Sequence, residues 1–411
     1  MSLQTKLEKY AKIAVKMGAN VQPGQLLVIS AQVRDYEFVR LCVKEAYAAG
    51  AGYVQVDWSD EMNSLQTYMN VDTETLCDIP QWMYDQRKWA QDNGCCFLHI
   101  GSGTLGLMKE VDPAKMQAIQ IAAGKKFMPL QNYTMANEGQ WSIVALPSAG
   151  WAKKVFPDKE EEEAMECLMD AILTAVRVQE DNDPVAEWKQ HTSNLRKYCS
   201  WLNEQNFREL HFTNGLGTDL HVGLVKDHIW CGGSEDTVKG IAFNPNMPTE
   251  EVFCMPEKTG VYGKVVASLP LSYAGKLIEG FSLTFENGKV VSYHADKEEE
   301  SLKNLVEFDE GSSYLGEVAL ISYDSPISNM GILFYNTLFD ENASCHLALG
   351  RAYPMNVKGG TEMSREQLAQ AGANDSMTHV DFMFGTRHMH IEGIKQDGTT
   401  VTVFDNGNFV I

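Results

Sequence analysis

The 411-residue chain sets 34 Lys and Arg against 55 Asp and Glu, and its formal net charge of -21 would repel both a nucleic-acid backbone and an anionic membrane surface. At 44% hydrophobic and 22% charged residues it has the composition of a folded globular protein, not of a disordered or fibrous one. Its length suits two domains of the usual ~100–200 residues each, and no stretch approaches the ~18 continuous apolar residues of a membrane span.

The N-terminal segment, Leu3, Leu7, Tyr10, Ile13, Ala14 and Met17 at helical spacing, reads as an amphipathic helix closed by Gly18 and not as a signal peptide. A short apolar strand is expected at 26–29, a helix at 36–48, and further strands at 53–58, 96–100 and 141–146. Short apolar strands alternating with helices predict an α/β domain with a mostly parallel sheet. Helices at 160–178 and 185–205 follow, and close a first domain expected over 1–205. Beyond Phe207 the texture changes to strands with turn signals at Asn214-Gly215, Asn287-Gly288, Asp397-Gly398 and Asn406-Gly407. The second domain, 206–411, is therefore expected to be α+β and rich in antiparallel strands.

Nine cysteines are scattered without regular spacing, and Cys95 is adjacent to Cys96, which suits neither a disulfide framework nor a CxxC zinc site. A reducing, cytoplasmic location follows as the expectation. Gly101-Ser102-Gly103-Thr104-Leu105-Gly106 fits GxGxxG after a predicted strand, but no acidic residue ends a second strand about 20 residues on to hold a ribose. A tight turn accounts for it better than a nucleotide site. Cys345-His346 lacks an orienting third group for a thiol nucleophile, and His388-Met389-His390 would put two imidazoles on one strand face but, with no carboxylate near it in sequence, reads as an ordinary exposed face, the ligand pair being the competing reading.

The chemistry concentrates in polar clusters that interrupt apolar strands of the second half: Pro248-Thr249-Glu250-Glu251, Leu315-Gly316-Glu317-Val318, Asp340 to His346, Arg351-Ala352-Tyr353, and Thr378 to Met383. In His379-Val380-Asp381 the strand period of two puts imidazole and carboxylate on one face. Glu317 lies inside an apolar strand, where an unpaired carboxylate costs several kcal/mol or is driven to protonate, and a cation resolves that cost. Glu250, Glu317 and Asp381 with a bridging hydroxide would balance two divalent ions, and His346 and His379 would complete shells suited to Zn, Co or Mn. Any one of these residues alone is more often a solvated or salt-bridged group; their recurrence in successive interrupted strands points to a metal centre.

At these clusters the chain resembles the thermophilic aminopeptidase family. The resemblance rests on Asn246 to Phe253, Pro270-Leu271-Ser272-Tyr273, Leu315 to Leu320, Glu341 to Gly350 and His379 to Met383, in order across most of 240–385. It implies a two-domain, usually homodimeric, zinc- or cobalt-dependent exopeptidase with two adjacent metals, Mn and Mg being the alternatives. By motif, Glu250, Glu317, His346, His379 and Asp381 are then expected as metal ligands and Tyr353 as a catalytic residue. Glu341 becomes a ligand or near neighbour of the metals. Departures at Met255-Pro256-Glu257-Lys258 and Ser313 leave the ligands intact and bear on substrate preference.

The expected reaction is hydrolysis of the first peptide bond of a peptide with a free N-terminus by a two-metal-activated water. Glu317 is favoured as the proton-transferring carboxylate with Glu341 as the other candidate, and Tyr353 is expected to donate to the oxyanion. Two other readings compete: a non-catalytic peptide- or metabolite-binding protein, and a nucleotide-dependent enzyme using the Gly101 loop.

Overall fold

The computed structural model describes residues 2–411, apart from the Asn132 side chain. They form two compact units, Met1–Gln190 with Ser234–Pro248, and His191–Gly233 with Thr249–Ile411. The cut falls within the helix Pro184–Gln205, and the expected division at 205/206 lies at the C-terminal end of that helix.

In the first unit the helix Leu3–Ile13 starts at Ser2, whose Oγ accepts the Thr5 N–H at 3.3 Å, and its apolar face buries Tyr10, Ala11 and Ile13. The backbone then widens into a π-turn over Ala14–Gly18. Strands β1 (Leu26–Gln32), β2 (Tyr53–Ser59), β3 (Cys96–Gly101) and β4 (Trp141–Ala145) form a parallel sheet in the order β2-β1-β3-β4. This is the α/β sheet the sequence predicted.

The Gly101 loop leaves the end of β3, and its polar groups face carboxylates. Ser102 Oγ donates to Asp35 at 2.5 Å, while the Thr104 N–H and hydroxyl donate to Glu61 at 2.9 and 2.5 Å. The next α-helix starts only at Pro113, beyond a short 3₁₀ turn at Leu107–Glu110. A phosphate would meet Asp35 and Glu61 here instead of a helix N-terminus, so the nucleotide reading of GxGxxG fails on charge and geometry alike.

The second unit is built on two antiparallel sheets. The larger has eight strands, among them β5 (Glu209–Thr213) and β6 (Asp219–Leu224). Two of the predicted turns close hairpins in two residues, Asn287-Gly288 with φ 48° and 81° and Asn406-Gly407 with φ 49° and 74°. Both central residues have positive φ, as the strand twist favours. The smaller sheet runs in the order His379–Met383, His346–Gly350, Leu315–Leu320, Val252–Cys254 and Cys231–Gly232. One face packs Val252, Cys254, Val318, Leu347, Leu349 and Phe382 into the core of the unit.

Candidate metal centre

Strand register assembles the other face of the smaller sheet. Glu317 pairs with Ala348, which pairs with Asp381; Ala319 pairs with His346; Gly350 pairs with His379. Partners in register share a face, so Glu317, His346, His379 and Asp381 project together over a floor of Ala319, Ala348 and Gly350. Small floor residues leave the volume between the polar groups free of competing side chains.

A bulge at Gly316 sets this register between Leu315 and Glu317. A Cβ on Gly316 would stand 2.3 Å from the Arg351 carbonyl oxygen and 2.5 Å from that of Gly350, so no other residue fits without moving the neighbouring chain.

Each imidazole is held by a backbone carbonyl. His346 Nδ1 donates to Glu341 O at 2.8 Å, and His379 Nδ1 donates to Arg351 O at 2.7 Å. Both rings thereby turn Nε2 toward carboxylates. His346 Nε2 lies 3.2 Å from Glu251 Oε2 and 3.5 Å from Glu317 Oε1, while His379 Nε2 lies 3.4 Å from Glu317 Oε2 and 3.4 Å from Asp381 Oδ1. Two ligand-type groups result, Glu251 with Glu317 and His346, and Glu317 with His379 and Asp381, and Glu317 belongs to both.

The electrostatics of this face call for positive charge. Glu317 and His346 are only 4% and 1% exposed, and no Lys or Arg forms an ion pair with Glu251, Glu317, Glu341 or Asp381 among the described residues. Burial, reinforced by the neighbouring carboxylates, pushes Glu341 well above the usual range. Burial pushes Glu251 up as well, against the pull of His346.

For Glu317 the bonds to His346 and His379 outweigh burial and hold it down at about 2. Burial disfavours both imidazolium ions. The carboxylates overcome it, lifting His346 well above its ordinary value and His379 to about 11. Protons gather wherever the site lacks other cations.

The residues fit metal ions on two counts. Asp381 Oδ1 is buried without a hydrogen-bond partner, as a ligand atom would be when its cation is absent. The Nε2-to-carboxylate spacings of 3.2 to 3.5 Å are long for ionic hydrogen bonds. They match the edge of about 3.3 Å of a tetrahedron whose ligands lie ~2.0–2.1 Å from a central ion.

A model of the thermophilic metalloprotease family (M29) matches residues 3–409. The chain belongs to that family. It is 48% identical to aminopeptidase AmpS of Bacillus subtilis (strain 168), over 99% of each protein, and 40% identical to aminopeptidase T of Thermus aquaticus, over 98% of each. The structure of wild-type AmpT from Thermus thermophilus superposes with a TM-score of 0.92 at 36% identity, covering 100% of both chains. The M29 metalloprotease family implies a divalent metal, for which the two ligand-type groups supply donors.

Of the residues singled out from sequence in this M29 chain, Glu317, His346, His379 and Asp381 come together and Glu250 does not join them. Glu250 faces His191, with Oε2 3.7 Å from Nε2, and its N–H donates to Asn342 Oδ1 at 2.7 Å. Glu251 stands in the cluster instead.

Register gives the reason. Phe253 pairs with Ala319 on the ligand face, and Glu251, two residues earlier, shares that face, while Val252 and Cys254 are buried in the core. Because Val252, Phe253, Cys254 and Met255 are all apolar, the alternation that would have selected Glu251 is hidden in the sequence.

Glu341 opens a 3₁₀ turn beside the cluster, outside both ligand groups. The Tyr353 ring lies 4.7 Å from that of His379 and 6.1 Å from that of Phe253. Burial and the surrounding carboxylates raise the Tyr353 phenol, so it stays protonated. Cys345 turns away from the cluster, its Sγ accepting the Ile321 N–H at 3.3 Å, and burial lifts its thiol to about 11. A Cys345-His346 nucleophile pair is thereby ruled out. A cavity lined by Leu271, Leu277, Leu333 and Met383 opens against Asp381 and Glu341.

Proposed function

We propose that the chain is an aminopeptidase whose Glu251, Glu317, His346, His379 and Asp381 hold two divalent ions, with Glu317 shared between them. The reading is carried by the two imidazoles, each fixed at Nδ1 by a carbonyl, whose Nε2 atoms face carboxylates that meet at Glu317. Mixed nitrogen and oxygen donors suit Zn or Co, and Mn next. When bound, such ions activate a water and polarise the scissile carbonyl.

The protein's own groups then divide the remaining work. Both Glu317 oxygens already face imidazoles, so Glu341 becomes the better proton carrier, although sequence reasoning favoured Glu317. Glu341 lies beside the cluster and outside both ligand groups, which leaves its carboxylate to take the proton of the attacking water and return it to the leaving amine. Tyr353 OH donates to the oxygen that gains charge in the tetrahedral state. Surplus carboxylate charge attracts the substrate's amino terminus, and the cavity beside Asp381, whose wall sets Leu271, Leu277, Leu333 and Met383 against Ser272, Asn336 and Thr337, receives the first side chain.

The expected assembly is a homodimer and the expected compartment the cytoplasm. No disulfide joins any of the nine cysteines, and no helix among the described residues is long and apolar enough to cross a membrane.

Chelation should abolish release of leucine from a leucyl peptide, and added zinc or cobalt should restore it. Glu341→Gln should keep its metal and lose nearly all turnover, whereas Glu317→Gln should lose both. Full turnover by the chelated protein would refute the metal mechanism, and turnover within about tenfold of wild type by Glu341→Gln would return the proton role to Glu317. A chain that bound the peptide without cleaving it would be the non-catalytic binding protein.

A further inference from the structure

The outward face of the larger sheet carries a group of ligand-type side chains that the proposed centre does not use. His211 on β5 and His221 on β6 are direct cross-strand partners. Leu210, Phe212, Leu220 and Val222 between and beside them are fully buried, so both histidines point away from the core.

The backbone bonds from Leu224 N to Arg208 O and from Asn214 N to Thr218 O make the even-numbered positions of β5 its hydrogen-bonded pairs. His211 and His221 therefore form a non-hydrogen-bonded pair, the kind that brings opposing side chains closest. Their rings stack 3.9 Å apart at 9°.

The surroundings hold His221 as metal-ligating histidines are held, and the His211 ring, stacked parallel to it, turns out of the stack for both lone pairs to meet one ion. His221 Nδ1 donates to Glu209 at 2.7 Å, leaving Nε2 with its lone pair. Tyr262 steadies the arrangement, its hydroxyl donating to the same carboxylate at 3.2 Å and its ring lying 4.5 Å from that of His221 at 7°. A histidine that gives its second N–H to a carboxylate is a stronger ligand in a fixed tautomer. His211 Nε2 meets Asp219 Oδ1 at 2.7 Å, sharing a proton that a cation would replace. Ligand atoms of His211, Asp219 and His221 all lie within 4.8 Å of one another. Lys264, the register neighbour of Asp219 on the next strand, forms no ion pair with it among the described residues.

We propose that His211, Asp219 and His221 form a second cation site, separate from the smaller sheet, for an imidazole-binding transition-metal dication such as Zn²⁺, Ni²⁺ or Cu²⁺. Two nitrogens and one oxygen suit these ions and not Mg²⁺ or Ca²⁺, which prefer all-oxygen shells. Glu209 and Tyr262 are positioning residues that hold His221, and the bound ion staples β5 to β6.

The test is equilibrium dialysis of the metal-loaded protein against buffered zinc, comparing wild type with His211→Gln and His221→Gln. Wild type should hold one more zinc per chain than either variant, with unchanged hydrolysis of a leucyl anilide, which also shows that the variants fold. Glu209→Ala should fill the same number of sites at saturation but bind the additional zinc about 10–100-fold more weakly. A Cu²⁺ spectrum of wild type should show coupling to two imidazole nitrogens that disappears in His221→Gln. Equal zinc content in all chains overturns the site, and lost hydrolysis in either histidine variant overturns its independence from the centre. The readout is a difference between chains with the same centre, so its failure is distinguishable from failure of the two-ion reading.

Discussion

Replacing Glu251 and Glu250 in turn by Gln separates the ligand set given by register from the one read off the motif. Glu251 lies 3.2 Å from His346 Nε2 with a side chain 15% exposed. At an effective dielectric constant of ~20, unit charges at that distance interact by about 5 kcal/mol, and a dication in place of the imidazolium proton would double this. If desolvation and relaxation leave about a third of that, Glu251→Gln weakens metal binding by ~3 kcal/mol, or more than 100-fold. Glu250 faces His191 at 3.7 Å and belongs to neither ligand group, so Glu250→Gln should keep its metal. The assay is metal content by mass spectrometry after dialysis against buffered zinc at a concentration that half-saturates the wild type. Depletion in Glu250→Gln with full occupancy in Glu251→Gln would refute the register argument.

Metal uptake should release protons. His379 stands at about 11 because Asp381 and Glu317 outweigh its burial, so Nε2 must shed a proton before it can ligate. Calorimetry in two buffers of different ionisation enthalpy should find proton release near pH 7, with about one proton fewer in His379→Ala. In the metal-free chain the same raised pKa contributes stability that is complete below ~6.5 and is lost as the pH climbs toward 11. Uptake without proton release would exclude the imidazolium pairing. Tyr353→Phe should lower kcat by about 10²–10³ with KM little changed if its hydroxyl serves the oxyanion, and a pure KM effect would make it a substrate-packing residue. Gly316→Ala should destabilise the fold by about 1–3 kcal/mol and reduce metal content, because its Cβ must push Arg351 away and shift Glu317. An unchanged melting temperature and metal content would show that the bulge adapts.

What the sequence revealed of this cluster depended on whether a candidate ligand's neighbours advertised its direction. His379 and Asp381 flank Val380 in a short strand, so the period of two places them together without any knowledge of the fold. Glu317 was visible because a carboxylate amid Leu315, Val318, Ala319 and Leu320 has no inexpensive home. Glu251 was hidden because the choice between adjacent glutamates belongs to the pairing of Phe253 with Ala319, a contact across more than sixty residues of chain. The antiparallel hairpins were legible from Asn-Gly pairs whose backbone angles only such residues adopt readily. The passage of 234–248 into the first unit was not, since its strands are two residues long and carry no period.

The same distinction explains why the GxGxxG loop says less about function than a carboxylate within an apolar strand. A glycine loop declares only that the backbone turns, and what it holds depends on the charge brought opposite it, here Asp35 and Glu61. A carboxylate inside an apolar strand declares a debt of free energy wherever the strand is placed. Glu251, Glu317 and Asp381 on one face and Glu341 beside them, with two imidazoles and no lysine or arginine in an ion pair with them among the described residues, leave protons or metal ions as the remaining counter-charges. Protons require His379 to hold on to about pH 11 and Glu341 to stay neutral well above its ordinary range. Divalent ions would bring the same charge through fewer particles and would use the Nε2 lone pairs that the two carbonyls have already aimed inward, so above neutral pH the balance would move steadily toward the metal-loaded form.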